Sequence, residues 1–299
     1  LPGFCERSPR QRRGMNPYTL PDRSLEALLH DDAPCGDATT FALGIGDCAG
    51  RMVFRARYEM VVCGSEEARR MGELRGLQAT GAVVASGSRL AAGTEILTLA
   101  GPAGALHAVS KTAQTLMEYL SGIATAGADI VAAARSVNPA IAVACTRKNF
   151  PGTKAASIKA VLCSGASPHR LNLSETLLVF AAHRAFLGDE APAATVRRLR
   201  RQWPERSIVV EVGDEQEASL WQQAGADILQ LERLPPEAVD RIRRALPPGA
   251  TTRLAATGGI TLANAPAYAQ AGADILVTSA PYFAAPRDVA VTLAPATAP

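Results

Sequence analysis

The sequence predicts an α/β protein in which a mixed α/β unit is followed by a long run of parallel strands. Three observations carry that expectation. Apolar runs at 141–145, 176–180, 207–212, 227–231, 253–256 and 274–278 are separated by helical stretches. Alternation of this kind implies parallel strands in an α/β barrel or an open sheet. Gln223-Ala224-Gly225-Ala226-Asp227-Ile228-Leu229 returns as Gln270-Ala271-Gly272-Ala273-Asp274-Ile275-Leu276. Each copy reads as a helix end, a glycine beyond it and the start of a buried strand, as successive α/β units would leave. Before residue 110 the period changes: Met52, Phe54, Ala56, Tyr58 and Met60 alternate with Val53, Arg55, Arg57 and Glu59, the signature of a half-buried strand.

In chain order, residues 1–14 are expected to be a disordered basic extension, with Met15 as the natural start. Ser65-Glu66-Glu67 opens a helix, with a hydroxyl at its cap and two acids near its positive end. Gly81–Ala85 and Glu95–Ala100 supply short strands between glycine-rich turns. From Ala108 to Val137 the apolar spacing is helical, with Ser121-Gly122 expected to divide it into two helices and Asn138-Pro139 to end it. The six later strands then alternate with helices to the end of the chain.

The chain has 299 residues, 47% hydrophobic and 20% charged, enough for two modest domains or one barrel with an appendage. No run of 18 apolar residues occurs, so no membrane span is expected. Residues 1–14 carry Arg7, Arg10, Arg12 and Arg13 against Glu6 and so hold the whole formal charge of +3. A body of zero net charge argues against nucleic acid as a partner. The basic head has no apolar stretch after it and is not a secretory signal. Six cysteines show no C-x-x-C and no metal-ligand spacing, which points to a reduced, cytoplasmic protein.

The chemistry is expected where the strands end, because parallel α/β barrels place their sites there. The run Ile141–Cys145 leads into Thr146-Arg147-Lys148, and His169-Arg170 follows. A buried cation needs an anion beside it, so either a structural carboxylate or an anionic substrate must answer this cluster. The chain has four lysines against 27 arginines, and Lys111, Lys148, Lys154 and Lys159 all lie within one segment. A lysine kept on such a background can serve as a compact ammonium where a guanidinium fork would not fit; the alternative is four ordinary surface lysines. Later strands deliver Glu211, Glu232, Thr257-Gly258-Gly259 and Ser279. Two carboxylates at neighbouring strand ends suit Mg2+ bridging phosphate oxygens, or else pairing with Arg147 or Arg170. A Gly-Gly turn between strand and helix lets backbone N–H groups approach a phosphate. Cations for an anionic acceptor, acids for a metal and a glycine turn for a phosphate together describe transfer from a phosphorylated sugar.

Thr146-Arg147-Lys148, Pro151-Gly152, His169-Arg170, Ser121-Gly122-Ile123-Ala124-Thr125 and Thr257-Gly258-Gly259-Ile260 resemble the type II phosphoribosyltransferases, typified by quinolinate phosphoribosyltransferase. The resemblance runs from about residue 17 to 293 and begins with Asp32-Ala33-Pro34-Cys35-Gly36-Asp37. It is closer still to the ModD branch, encoded with molybdate-transport genes, through Glu175–Arg184 and Val277–Tyr282. It implies an N-terminal α/β sandwich domain over 15–123, an incomplete TIM-like α/β barrel over 124–283, and a strand from 284–299 returning to the first domain. It also implies a head-to-tail homodimer, or a larger assembly of such dimers, with shared active sites and Lys111 arriving from the partner.

On this resemblance phosphoribosyl pyrophosphate with Mg2+ is the donor, held by Lys148, Glu211, Glu232 and the Thr257–Gly259 turn, with Ser279 nearby. Lys148, Glu211 and Glu232 are the catalytic candidates, and the two acids also hold the metal. Arg147, His169 and Arg170 face the acceptor's carboxylate. The quinolinate enzymes have Glu-Arg where this chain has Ser110-Lys111, Lys-Asp-Asn-His where it has Phe180-Ala181-Ala182-His183, and Leu-Asp-Asn where it has Leu231-Glu232-Arg233. They also carry a Glu near Ala255. These departures touch the acceptor pocket, where Phe180 and His183 stand, and implicate an aromatic or heteroaromatic acceptor other than quinolinate. A true quinolinate phosphoribosyltransferase of NAD synthesis and a non-catalytic molybdate binder are the alternatives.

Overall fold

The computed structural model describes residues 18–296; the basic extension at 1–14 and Met15 lie outside the described residues. The chain opens with the helix Asp22–Asp32 and a short helix Ala38–Leu43 capped by Asp37, whose carboxylate accepts from the backbone N–H groups of Thr39 and Thr40. The strands β1 (Ala49–Ala56), β2 (Met60–Val61), β3 (Gln78–Ala79), β4 (Arg89–Leu90) and β5 (Glu95–Pro102) follow. Met52, Phe54 and Ala56 are buried as their alternation requires. The strand stops at Ala56, however, and Tyr58 stands exposed in the bend before Met60. Residues 81–85 form no strand; glycines at 81 and 87, both at positive φ, turn the chain there instead.

The helix Ala103–Arg135 runs unbroken for 33 residues, roughly 50 Å at 1.5 Å per residue. The expected division at Ser121-Gly122 does not occur. Both residues are there for close approach: Ser121 Oγ accepts from the backbone N–H of Cys63 at 2.9 Å. A Cβ on Gly122 would stand 2.5 Å from the carbonyl oxygen of Ala285. This helix joins the two halves of the molecule, and Ile123 packs against both hydrophobic cores.

Beyond it lie β6 (Ala142–Cys145), β7 (Ser167–Pro168), β8 (Leu177–Val179), β9 (Ile208–Val212), β10 (Ile228–Glu232), β11 (Arg253–Thr257) and β12 (Ile275–Thr278). They form one parallel sheet in the order β7-β6-β12-β11-β10-β9-β8. Strands β7 and β8 are its open edges, so the barrel is incomplete, as expected. The last strand, β13 (Val289–Pro295), returns to the first sheet and pairs antiparallel with β1, in the order β13-β1-β5-β3. The helices Asp22–Asp32, Ser65–Leu74 and Ala103–Arg135 bring Leu25, Leu29, Met71 and Met117 onto Met52, Phe54, Leu97 and Leu99 of this sheet, forming the N-terminal core. Among the described residues no helix is long and apolar enough to cross a membrane.

The junction between the two units contains a buried charge cluster. Lys159, on the helix Lys154–Cys163, is fully buried, and its ammonium reaches Glu66 at 2.8 Å and Glu67 at 2.5 Å on the helix Ser65–Leu74. The carboxylates are further satisfied by the backbone N–H of Leu20 on Glu67 and by the N–H and hydroxyl of Ser86 on Glu66. One of the sparse lysines is thus structural. A compact ammonium fits between two buried acids where a planar guanidinium would need more room.

Candidate active site

Strands β6 to β11 deliver functional residues at or just beyond their carboxyl ends, and those residues share one cavity of about 400 Å³. Strand β6 ends at Cys145 and passes into Thr146, Arg147 and Lys148. The two-residue strand β7, too short to be read from sequence, pairs with β6 so that Cys145 lies opposite Pro168. The backbone N–H of His169 donates to Cys145 O at 2.8 Å. This pairing sets His169 and Arg170 beside Arg147. Phe180 follows β8, Glu211 lies in β9, Gln230 and Glu232 in β10, and Thr257 ends β11; all line the same cavity.

The charges across this cavity are separated, not paired. Among the described residues no carboxylate lies within ion-pair distance of Arg147, Lys148 or Arg170. Burial, and then the nearby Arg147, hold the Arg170 guanidinium below its ordinary value. Burial, reinforced by Arg170, likewise lowers His169, so its imidazole is neutral at pH 7. The Arg170 guanidinium sits 5.6 Å from the centroid of the Phe180 ring, a cation–π contact that steadies the cation without neutralising it. The opposite wall is acidic. Burial, and after it repulsion from Glu232, raise the Glu211 carboxyl above its ordinary range. Glu211 accepts from Gln230 Nε2 at 3.0 Å, and Glu232 lies 3.3 Å from the exposed Arg233.

Arg184 closes the Glu175–Arg184 run that carries the resemblance, is not among the expected site residues, and yet fixes this wall. Its guanidinium donates to the backbone carbonyl of Glu211 and to Glu217 at 2.9 Å, and stands over Trp221 at 5.7 Å. Gln230 is a second functional residue that sequence reasoning misses. Its place two residues before Glu232 puts it on the same strand face, a signal that period-two counting could have found.

The glycine turn is built for close approach. Gly258 and Gly259 have φ of 88° and 81°. A Cβ at Gly258 would meet Arg233 Cγ at 2.5 Å and Glu232 Oε1 at 3.2 Å, whereas one at Gly259 would meet nothing within 4 Å. Gly258 therefore seats Glu232, and Gly259 faces open space. The next helix, Ala265–Gln270, starts six residues after Gly259. A phosphate at this turn would be met by backbone N–H groups without a helix end directly behind them. Arg233 adopts φ 55°, the one non-glycine residue at positive φ among the described residues. Such backbone, costly for a residue with a Cβ, abuts Glu232.

Gly258 and Gly259 adjoin the lining residue Thr257, and three further expected residues stand apart from the cavity. Lys111 is exposed on the helix Ala103–Arg135, donates to Gln114 at 2.8 Å, and lines a second, larger cavity of about 710 Å³ with Leu28, Asp32, Tyr119 and Phe150. His183 Nδ1 accepts from the backbone N–H of Phe180 at 3.0 Å, and its ring stacks on Phe180 at 5.5 Å. It shapes the Phe180 turn rather than the cavity wall. Ser279 caps the short 3-10 turn Ala280–Phe283. Its neighbour Thr278 ties β12 to the glycine turn by donating to Ile260 O at 2.7 Å.

Two family models match this chain: quinolinate phosphoribosyl transferase, N-terminal domain, over residues 37–121, and its C-terminal domain over residues 123–292. The chain belongs to the quinolinate phosphoribosyltransferase family. It is 49% identical over 248 residues to a Rhodobacter capsulatus protein named "Putative pyrophosphorylase ModD", covering 83% of this chain and 95% of that protein. It is 30% identical over 275 residues to the probable nicotinate-nucleotide pyrophosphorylase (carboxylating) of Synechocystis sp., covering 90% and 91%. The fold matches the nicotinate-nucleotide pyrophosphorylase of Francisella tularensis with a TM-score of 0.84 at 23% identity, over 94% of this chain and 99% of that one. Phosphoribosyltransferases of this family thus share the sandwich and open barrel found here.

Among the described residues no group of three or more acids, histidines or cysteines could hold a metal by itself. What this family member offers is two carboxylates, Glu211 and Glu232; burial and then repulsion from Glu232 raise Glu211, although Gln230 and Arg184 oppose the shift. That donor set fits Mg2+, which keeps waters and binds through one or two carboxylates plus substrate phosphates.

Proposed function

We propose that this protein is a phosphoribosyltransferase of the ModD type. It transfers the phosphoribosyl group of phosphoribosyl pyrophosphate to a ring nitrogen of a heteroaromatic carboxylate. The observation that carries the reading is the unpaired set Arg147, Lys148 and Arg170 facing Glu211 and Glu232 across one cavity. Arg147 and Lys148 are exposed and Arg170 is partly buried, against the burial expected at this strand end. Three cations gathered at one cavity without protein anions repel one another and favour an anionic ligand. Glu211 and Glu232 would hold Mg2+, which supplies charge neutralisation on the diphosphate when bound.

The remaining roles follow from position. The backbone N–H groups of the Gly258–Gly259 turn donate to phosphate oxygens on their open side. Lys148 neutralises the departing pyrophosphate. Arg147 and Arg170 orient the acceptor carboxylate, with neutral His169 donating or accepting one hydrogen bond beside them. As the ring nitrogen bonds to the anomeric carbon, the bond from that carbon to pyrophosphate breaks and its electron pair leaves with pyrophosphate. Positioning and charge stabilisation are the protein's main contribution. Lys111 stands outside this cavity, so in this reading it completes the site of a partner subunit in a homodimer.

Release of pyrophosphate from phosphoribosyl pyrophosphate, screened against heterocyclic carboxylates and nucleobases with Mg2+, tests the proposal. Turnover with one ring carboxylate supports it. Molybdate binding without Mg2+, and no release with any acceptor, would replace it with an oxyanion carrier.

A further inference from the structure

Gln230 is a second polar group built into the cavity wall, and its carbonyl oxygen has no hydrogen-bond partner. It is 4% exposed. Its Nε2 donates to Glu211 Oε2 at 3.0 Å, while its Oε1 is buried with no hydrogen-bond partner. The orientation of the amide is fixed by chemistry: an ionised carboxylate only accepts, so the NH2 group must face Glu211. Register then limits who else could answer the oxygen. Gln230 lies opposite Glu211 on β9 and opposite Ala255 on β11. Glu211 is already engaged, and a methyl group has no hydrogen to donate. The cavity's own donors, Arg147, Lys148, His169 and Arg170, make no hydrogen bond to it.

A buried carbonyl without a donor is rare in folded proteins and calls for a specific explanation. An apolar side chain of similar length would fill this place at less cost if packing were the only demand. Its setting gives the explanation: the oxygen sits among residues that line the substrate cavity, one layer deeper than the Glu232–Thr257 pair on the same strands.

We propose that Gln230 is a specificity-determining residue whose side-chain carbonyl accepts a hydrogen bond from a hydroxyl or N–H group of a bound substrate. This rests on the phosphoribosyl transfer reading above. The donor has one of two sources. Either a ribose hydroxyl of phosphoribosyl pyrophosphate reaches the oxygen, or the acceptor ring carries a hydroxyl, amino or protonated ring nitrogen beside its carboxylate. A site that hydrogen-bonds such a group rejects the analogue lacking it, because the buried partner is left unpaired.

The test compares full-length wild type with Gln230→Met by calorimetry and thermal melting. The probes are phosphoribosyl pyrophosphate with Mg2+ and pyridine carboxylates with and without a ring hydroxyl, the latter titrated in the presence of pyrophosphate and Mg2+. Removal of one hydrogen-bonding partner is expected to weaken one probe class by roughly 5- to 150-fold, with the melting midpoint retained or raised. Weaker binding of phosphoribosyl pyrophosphate assigns the hydrogen bond to the ribose. Disappearance of a wild-type preference for the hydroxylated pyridines assigns it to the acceptor. Unchanged affinity for every probe overturns the proposal and leaves the oxygen to a buried water, as does a fall in melting midpoint with unchanged affinities. If the Met variant does not fold, Gln230→Asn keeps the amide and withdraws the oxygen, and must show the same weakening. Failure of wild type to bind phosphoribosyl pyrophosphate with Mg2+ would instead sink the transfer reading itself.

Discussion

Lys159→Met is expected to be among the most destabilising single substitutions in this chain. The ammonium is fully buried and holds two carboxylates, Glu67 with no exposure and Glu66 with little. Methionine fills the volume of the stem but leaves both acids without their cation. Removing one partner of a buried ion pair costs about 3–5 kcal/mol. The remaining donors from Leu20 and Ser86 keep the acids hydrogen-bonded, which argues for the lower half of that range. With about 2–4 °C per kcal/mol for domains of 150–250 residues, the melting midpoint should fall by roughly 6–15 °C.

The pH dependence gives a sharper signature. In the wild type burial works against ionisation of Glu66, but hydrogen bonds from Lys159 and Ser86 outweigh it and its pKa is lowered. A carboxyl depressed in the folded state contributes stability above its ordinary value of 4.5 and loses it as pH falls through the folded value. For Lys159 burial pulls downward, yet Glu67 and Glu66 prevail and the pKa is raised, so its contribution is complete below 10.5. In the variant the buried acids lack a cation and favour protonation, so acidification should help it while it harms the wild type. Urea denaturation at pH 7 and at about pH 3.5, inside the window where the wild type loses the Glu66 contribution, checks this. A destabilisation under about 1 kcal/mol, the range of an exposed pair, or a difference independent of pH, would refute the reasoning.

Lys148→Ala should lower kcat/KM by about 10- to 150-fold, the value of one charge-assisted hydrogen bond felt in the transition state. Mixing it with Lys111→Ala, after subunit exchange is shown, should restore part of the activity if Lys111 completes a partner's site. Glu211→Gln should raise the melting midpoint at neutral pH while weakening Mg2+-dependent donor binding at least about tenfold. Burial and Glu232 raise the pKa of Glu211, so its charge costs stability above 4.5, and that cost fades as pH falls through the folded value. Quinolinate should be a poor substrate, since Lys111 stands where the family has Arg and Phe180 where it has Lys. Removing one charge-assisted hydrogen bond to its carboxylates and weakening another costs about 2–5 kcal/mol together. A steady-state kcat/KM of about 10⁴ M⁻¹s⁻¹ or more would restore the quinolinate assignment.

Much of this architecture is legible in the sequence because its signals are local. The β6, β9, β10, β11 and β12 strands are short apolar runs bounded by turns, and each announces its own carboxyl end. The residues at those ends, Arg147, Lys148, Glu211, Glu232 and Thr257, do line one cavity. Features that sequence reading misses depend on partners far along the chain. Ser121-Gly122 reads as a break, since both residues are poor helix formers, yet Cys63 and Ala285 hold them inside a continuous helix. Strand β7 is two residues long and exists only because β6 pairs with it. Lys159 reads as part of a functional lysine group, and only the packing of two helices reveals its acids. Gln230 is hidden inside an apolar run, and its unpartnered oxygen emerges only when the neighbouring strands are in register.

Calorimetric titration of phosphoribosyl pyrophosphate into the wild-type protein, with and without Mg2+, bears most directly on the central claim. Arg147, Lys148 and Arg170 opposite Glu211 and Glu232 predict saturable binding that depends on Mg2+ and is weakened at least about tenfold in Glu211→Gln. Absence of binding with Mg2+ present, or equal affinity when the metal is chelated, would contradict it.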